Sequence, residues 1–251
     1  MHILGKCRIS SRTDIGLLRQ YNEDSCYVCD VRNDVTELGI LVGVADGMGG
    51  HNGGDVASQL AVNTLATYYS LKGAPDSMSE RLVKIVERAN SAIYEVSSEN
   101  TGLTGMGTTL TTMVIFPEEA ILGHVGDSRA YLYRDEQFIQ ITEDHSLVAQ
   151  AVREGILTPE QAARHPQRNI ITRALGTRET VEVDSLTIKV QPGDVFLLAT
   201  DGLHGFSTDE ELARIIKEHR NDTDALTDEL IQLTLEKGAP DNVTVVVVAV
   251  D

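Results

Sequence analysis

The chain has 251 residues, 41% of them hydrophobic, enough for one large domain with a substantial core. Its 38 acidic against 21 basic residues give a formal net charge of −17, which disfavours nucleic acid and anionic membranes as partners. No stretch approaches the roughly 18 uninterrupted apolar residues of a membrane helix, no basic start leads into an apolar run, and three cysteines suit no disulfide framework. Cys26 and Cys29 form a C-x-x-C without a second pair at zinc spacing, so they read as plain reduced cysteines. No linker or low-complexity block divides the sequence. Residues 1–251 are therefore expected to form a single domain, monomeric and cytoplasmic.

In chain order, the piece RISSRTDIGLLRQYNEDS places Arg19 four residues before Glu23 and Asp24. A guanidinium beside two acids is a fork for phosphate oxygens. An apolar, strand-like run at 39–45 then leads into Asp46, and five of the next eight residues are glycine. Glycine loses more backbone freedom on folding than any other residue, so the cluster implies a very close approach to the backbone. A phosphate loop would need G-K-[ST], a dinucleotide fingerprint fails at Asn52, and an EF-hand fails at Met48 and Gly50. Helical periodicity covers 56–71 and 78–98; in the second, Leu82, Ile85, Val86, Ala89, Ala92, Ile93 and Val96 form one apolar face.

Strand-like runs follow at 109–116, 120–125, 130–133 and 138–141. A polar excursion near 145–166 contains a helix start at Thr158-Pro159-Glu160-Gln161, with a capping threonine, a first-turn proline and a capping-box glutamine. The chain closes with a strand at 195–199, helices at 209–219 and 223–236, and a strand at 243–250. This order does not alternate strand and helix as a doubly wound sheet does. Short links such as Gly126-Asp127-Ser128-Arg129 favour antiparallel neighbours. The expected class is α+β, antiparallel sheets covered by helices.

Four aspartates share a setting. Asp46, Asp127 and Asp201 each follow an apolar strand, and Asp241 precedes one. In antiparallel sheets, three strand ends and one strand start fall on the same edge, so the four carboxylates can converge. Converging carboxylates repel one another and stay ionised together only with cations. An all-oxygen set suits Mg²⁺ or Mn²⁺. Gly47 would let a backbone carbonyl reach such an ion, with Gly49 and Gly50 leaving space for substrate.

The segments TDIGLLRQYNEDS, VADGMGGHNGG, GMGTTLT, GHVGDSRAYL, HPQRNIITRALGT, LLATDGL and APDNVTVVVV together resemble the metal-dependent protein phosphatases of type 2C, the PPM family, in their compact bacterial branch. The resemblance spans the chain in order. It implies a four-layer α-β-β-α sandwich, two central antiparallel sheets flanked by helices, with two Mn²⁺ or Mg²⁺ ions and a possible third at one end. By the resemblance Asp46 bridges both ions, Asp201 and Asp241 complete the first, and the Gly47 carbonyl serves the second with Glu23 through water and Asp24 nearby. Asp127 with Asp201 matches the third position, Arg19 binds substrate phosphate, and about 143–177 is a flap. Where members from higher organisms carry histidine after Asp-Gly, Met48 stands here; His51 and His165 are the candidates for general acid.

The implied activity is hydrolysis of phosphoserine and phosphothreonine on proteins by metal-activated water, opposing a bacterial serine/threonine kinase whose targets it shares. No covalent phosphoenzyme is expected. Two other readings stay open, a phosphatase-like binding module and an enzyme for small phosphate esters.

Overall fold

The computed structural model describes residues 7–29, 38–49, 53–71 and 77–251. The strands are β1 (Cys7–Asp14), β2 (Asp24–Val28), β3 (Ile40–Met48), β4 (Gly107–Thr108), β5 (Leu110–Ile115), β6 (Glu119–Val125), β7 (Arg129–Arg134), β8 (Gln137–Gln140), β9 (Asp184–Lys189), β10 (Val195–Ala199) and β11 (Val243–Val250). The helices are α1 (Gly54–Leu65), α2 (Met78–Glu99), α3 (Leu147–Arg153), α4 (Pro159–Ala163), α5 (Asp201–His204), α6 (Asp209–His219) and α7 (Thr223–Glu236). One sheet runs β1-β11-β10-β7-β8 and the other β2-β3-β5-β6-β9, with β4 paired to β3. The pairings are antiparallel throughout.

The valine run of β11 shows why four layers form. Val243, Val245, Val247 and Ala249 pack with Leu212, Ile215 and Ile216 of α6 and with Leu226 and Leu230 of α7. The alternate residues Val246, Val248 and Val250 pack between the sheets against Ile40, Val42, Val44 and Met113. A strand covered on both faces has no reason to alternate, so it reads as a continuous apolar run. On the other side, Leu41 and Ala45 of β3 lie against α1 and α2, through Ala57, Ala61, Leu82, Ile85 and Ile93. The layers are therefore α1 and α2, one sheet, the second sheet, and α6 and α7, as expected from the sequence.

Three edge strands escape the apolar patterns. β1, β2 and β9 end their sheets, and β9 is exposed at nearly every position, as an edge strand tolerates. On α2, Ala92 and Val96 are only half-buried, while Arg81 and Asn90 are buried. Asn90 earns its place by donating to the Arg178 and Glu179 carbonyls and accepting from the Gly176 amide. The helix expected at 56–71 starts earlier and ends at Leu65, a 3-10 turn at Tyr68–Ser70 completing the segment.

Strand parity positions the functional end. Ile40, Val42 and Val44 face the opposite sheet, and Asp46 continues that row. The strand does not end at residue 45: β3 runs on through Asp46 and Gly47 to Met48, with Gly47 and Met48 paired to Thr108 and Gly107 of β4. Asp46 thus lies within a paired strand, held from three directions. Its amide donates to the Thr109 hydroxyl at 2.9 Å, and its carbonyl accepts from the Thr108 hydroxyl at 2.8 Å and the Thr109 amide at 2.9 Å.

Candidate active site

Asp24 of β2 stands directly opposite Asp46. Like charges paired across strands repel, and here water cannot screen them. Burial pushes Asp46 well above the usual carboxylate range, reinforced by Asp24, Asp201, Asp127 and Asp241. Burial likewise lifts Asp24 to about 7, although the Thr200 and Thr244 hydroxyls work against the rise; Thr200 donates to Asp24 at 2.8 Å. Glu23, beside it, is raised by burial and accepts from the Gly54 amide. The glycines answer this crowding. A Cβ on Gly47 would lie 2.0 Å from the Gly54 carbonyl and 2.5 Å from that of Glu23, and one on Gly54 would lie 2.5 Å from the Glu23 carboxylate. What approaches the backbone here is the chain itself, so that β2 and the start of α1 close around Asp46.

Asp201 opens α5 immediately beyond β10, and Asp241 precedes β11 by two residues. Asp201 is hydrogen-bonded to Asp46 and lifted to about 6, by burial first and then by Asp241. A Cβ on Gly202 would lie 1.9 Å from the Asn242 carbonyl, so α5 and the 241–242 turn interlock. Buried Asn242, not singled out in the sequence, ties in the Arg19 loop. Its Oδ1 accepts from the Glu23 amide at 2.9 Å, and its Nδ2 donates to the carbonyls of Ile15 at 2.9 Å and Tyr21 at 3.0 Å. The clue was Asp-Asn before a strand, a pair suited to side-chain to backbone bonding. Arg19 donates to Asp241 at 2.7 Å and lies 3.9 Å from Glu23, which raises its pKa through the Asp241 bond. One donor of its fork is thus engaged, beside the carboxylates.

Asp127, two residues beyond β6, is buried, and its Oδ1 has no hydrogen-bond partner among the described residues. Burial, then Asp201 and Asp144, lifts it to about 7. Next to it Arg129 grips Asp144 with the two donors of one edge of its guanidinium, Nε at 2.9 Å and Nη2 at 2.7 Å. Burial alone would raise Asp144, and the guanidinium outweighs it, holding the carboxyl below its ordinary value. A cleft of about 580 Å³ opens from Asp127 and Asp201 along α3 and α4, bordered by Arg153 and Arg168. This places the expected 143–177 segment beside the carboxylates.

His165 is not brought into the group: its Nδ1 accepts from the Gln167 amide within its own turn. His51 lies outside the described residues. Half-buried His204, which sequence reading missed, lines the cleft with Asp127 and Asp201. Burial, then Arg129, lowers it to about 3. Cys26 stands six residues before Arg32, a spacing shared with cysteine phosphatases, yet it sits in β2 opposite Val44, and burial raises its thiol pKa. It offers no thiolate nucleophile.

Residues 19–236 match the family model for protein phosphatase 2C. The chain belongs to the protein phosphatase 2C family. It is 37% identical over 243 residues to the serine/threonine phosphatase stp of Listeria monocytogenes serotype 4b (strain F2365), covering 96% of this chain and 94% of that protein. Its structure resembles that of the Mycobacterium tuberculosis serine/threonine phosphatase PstP/Ppp, at 40% identity and a TM-score of 0.87, covering 98% of this chain and 99% of that one. A crystal structure of the catalytic domain of PstP in complex with two manganese ions matches with a TM-score of 0.85 and 38% identity, covering 98% and 99%.

The donor set of this phosphatase fits hard divalent cations. Asp24, Asp46, Asp127 and Asp201 are oxygen donors whose burial and mutual repulsion an ion would relieve, and the orphaned Oδ1 of Asp127 is a buried acceptor awaiting a partner. Among the described residues, no three histidine, cysteine, aspartate or glutamate side chains are grouped as a ready-made metal cage. That agrees with ions that keep several waters and take one or two carboxylates each.

Proposed function

We propose that the carboxylate edge is the catalytic centre of a serine/threonine protein phosphatase, where Asp46 would help hold two divalent cations. The enzyme is a metal-dependent phosphoprotein phosphatase of the 2C type. The observation that carries the site is the gathering of Asp24, Asp46, Asp201 and Asp241 into one electrostatic group, with Arg19 beside it. Bound Mn²⁺ or Mg²⁺ supplies Lewis acidity that makes hydroxide available near neutral pH and offsets phosphate charge. Asp201 and Asp241 would complete the first ion's ligands. The Gly47 carbonyl, with Glu23 through water and Asp24 close by, would serve the second, and Asp127 with Asp201 a third.

The chain's own residues do the rest. Arg19 turns the free donors of its fork to the non-attacking phosphate oxygens and holds them in line. Asn242 and Gly16 hold the Arg19 loop in place: Gly16, with φ +75°, would put a Cβ 2.2 Å from the Asp241 carbonyl. Phosphate rests against a fork oriented in advance, and no cysteine or other protein nucleophile is required. We assign the leaving-group proton to water in the open cleft, because His165 is not among the residues that line it.

The cleft along α3 and α4 is long and open, which suits phosphoserine and phosphothreonine within proteins, and a serine/threonine kinase and its targets are the partners we infer. We read residues 1–251 as one domain with a flap at about 143–177, acting as a monomer in the cytoplasm; no helix of the described residues is long and apolar enough to cross a membrane. Turnover of a phosphothreonine peptide compared with a free sugar phosphate tests the substrate class. The peptide should be favoured in kcat/KM, and equal or better turnover of the sugar phosphate would overturn the assignment.

A further inference from the structure

The turn bearing Asp127 is held in an unusual way. The Gly126 amide donates to Nδ1 of His145 at 3.0 Å, and the Gly126 carbonyl accepts from the His145 amide at 2.8 Å. One peptide unit further, the Asp127 carbonyl lies 3.1 Å from Nε2 of His204. Gly126 itself has φ +113°, and a Cβ there would meet Thr109 at 2.6 Å, so the turn has little room to move.

We propose that His145 and His204 are positioning residues that clamp the backbone on both sides of Asp127 and so set the aim of its carboxylate. This rests on the reading of Asp127 as a cation ligand. The hydrogen bonds fix the protons. Nδ1 of His145 accepts from an amide, so the neutral ring carries its proton on Nε2 and donates it to Asp184, 3.1 Å away. His204 must likewise carry a proton on Nε2 to donate to a carbonyl.

The two rings come from different places. His145 lies at the root of the 143–177 segment: its carbonyl accepts from the Thr172 amide at 2.7 Å, and Arg173 donates to the Asp184 carboxylate that takes the ring's Nε2 proton. His204 closes the four-residue helix that Asp201 opens. The clamp therefore joins Asp127 to the flap on one side and to Asp201 on the other. A carboxylate whose Oδ1 has no protein partner is aimed by its backbone, and the backbone here is aimed by two imidazoles.

The test is Mn²⁺ binding to chelator-stripped protein, followed by calorimetry and by electron paramagnetic resonance of the free ion, without substrate. Asp127→Asn should delete the weakest binding event. His145→Leu and His204→Leu should weaken that same event by about 10-fold or more and leave the tighter events in place. His145→Asn, whose amide oxygen falls where Nδ1 was, and His204→Gln, whose amide nitrogen falls where Nε2 was, should restore most of the loss. A weakest event unchanged in the folded Leu variants overturns the clamp. If Asp127→Asn also changes nothing, the reading of Asp127 itself fails, which is a separate result.

Nitrogen-15 spectra of the metal-free wild type give an arm that needs no variant. His145 should show a bare Nδ1 and His204 a protonated Nε2, and the opposite tautomer at either ring overturns the clamp.

Discussion

Asp24, Asp127 and Asp201 are raised by burial first and by neighbouring carboxylates second, and that burial governs how the metal-free protein should behave. Asp24 and Asp127 are raised to about 7 and Asp201 to about 6, against 3.8 for a free aspartate. Below pH about 4 folded and unfolded chains both hold these protons. As pH rises from about 4 to about 7 the unfolded chain releases them first, so this contribution to stability is lost across that window and stays lost above it. Metal-free wild type should therefore lose stability relative to Asp24→Asn over that range, by up to about 4 kcal/mol; parallel unfolding curves would contradict it. Added Mn²⁺ should raise the wild-type melting temperature more at pH 7.5 than at pH 5, because only ionised carboxylates hold the ion. Arg19→Ala should lower kcat/KM by about 10- to 100-fold, the worth of a charge-assisted phosphate contact. Mn²⁺ affinity should change far less, since the arginine is a neighbour of the carboxylates and not a ligand. Unchanged KM and kcat in Arg19→Ala would remove its phosphate role.

At the scale of elements, the site depends on how tightly strand ends and turns interlock. Gly202→Ala would drive a methyl into the Asn242 carbonyl and should cost about 3 kcal/mol. Asn242→Ala forfeits three bonds to the 15–23 loop, should cost about 2–4 kcal/mol, and should raise KM by loosening Arg19. Urea unfolding of both variants, with KM for the second, checks this; wild-type midpoints in both would contradict the interlock. Much of this was legible beforehand. The buried strands β3, β5, β6, β10 and β11 announce themselves as runs rich in valine, isoleucine and leucine, β7 as the short apolar run Ala-Tyr-Leu-Tyr, and the helix start at Thr158-Pro159 carries the capping box read from it. β1, β2 and β9 did not, because an edge strand needs only one apolar face and their sequences interleave serine and aspartate with the apolar residues. The extension of β3 through Asp46-Gly47 was hidden for the opposite reason: glycine reads as a strand stop, yet here it admits the Gly54 and Glu23 carbonyls. His145, His204 and Asn242 act through hydrogen bonds to distant backbone, a role that leaves no periodic mark.

Across the whole molecule, two sheets packed face to face bring residues 24, 46, 201 and 241 to one edge, and the helices outside them leave that edge open. Only a few of the 38 acidic residues gather at this edge, and most of the net −17 lies elsewhere on the chain. Asp127 and Asp201 follow strands and Asp241 precedes one, whereas Asp46 lies inside β3, and Gly47 and Gly54 beside it let the protein's own elements close together. The most direct test of the central claim is phosphate release from a phosphothreonine peptide by chelator-stripped protein, with and without added Mn²⁺, in wild type and Asp201→Asn. Release that appears only with Mn²⁺ and falls by on the order of 100-fold or more in Asp201→Asn, with both proteins folded, is the expected result. No release with any divalent ion, or equal release from folded Asp201→Asn, would contradict a metal-dependent phosphatase built on these carboxylates.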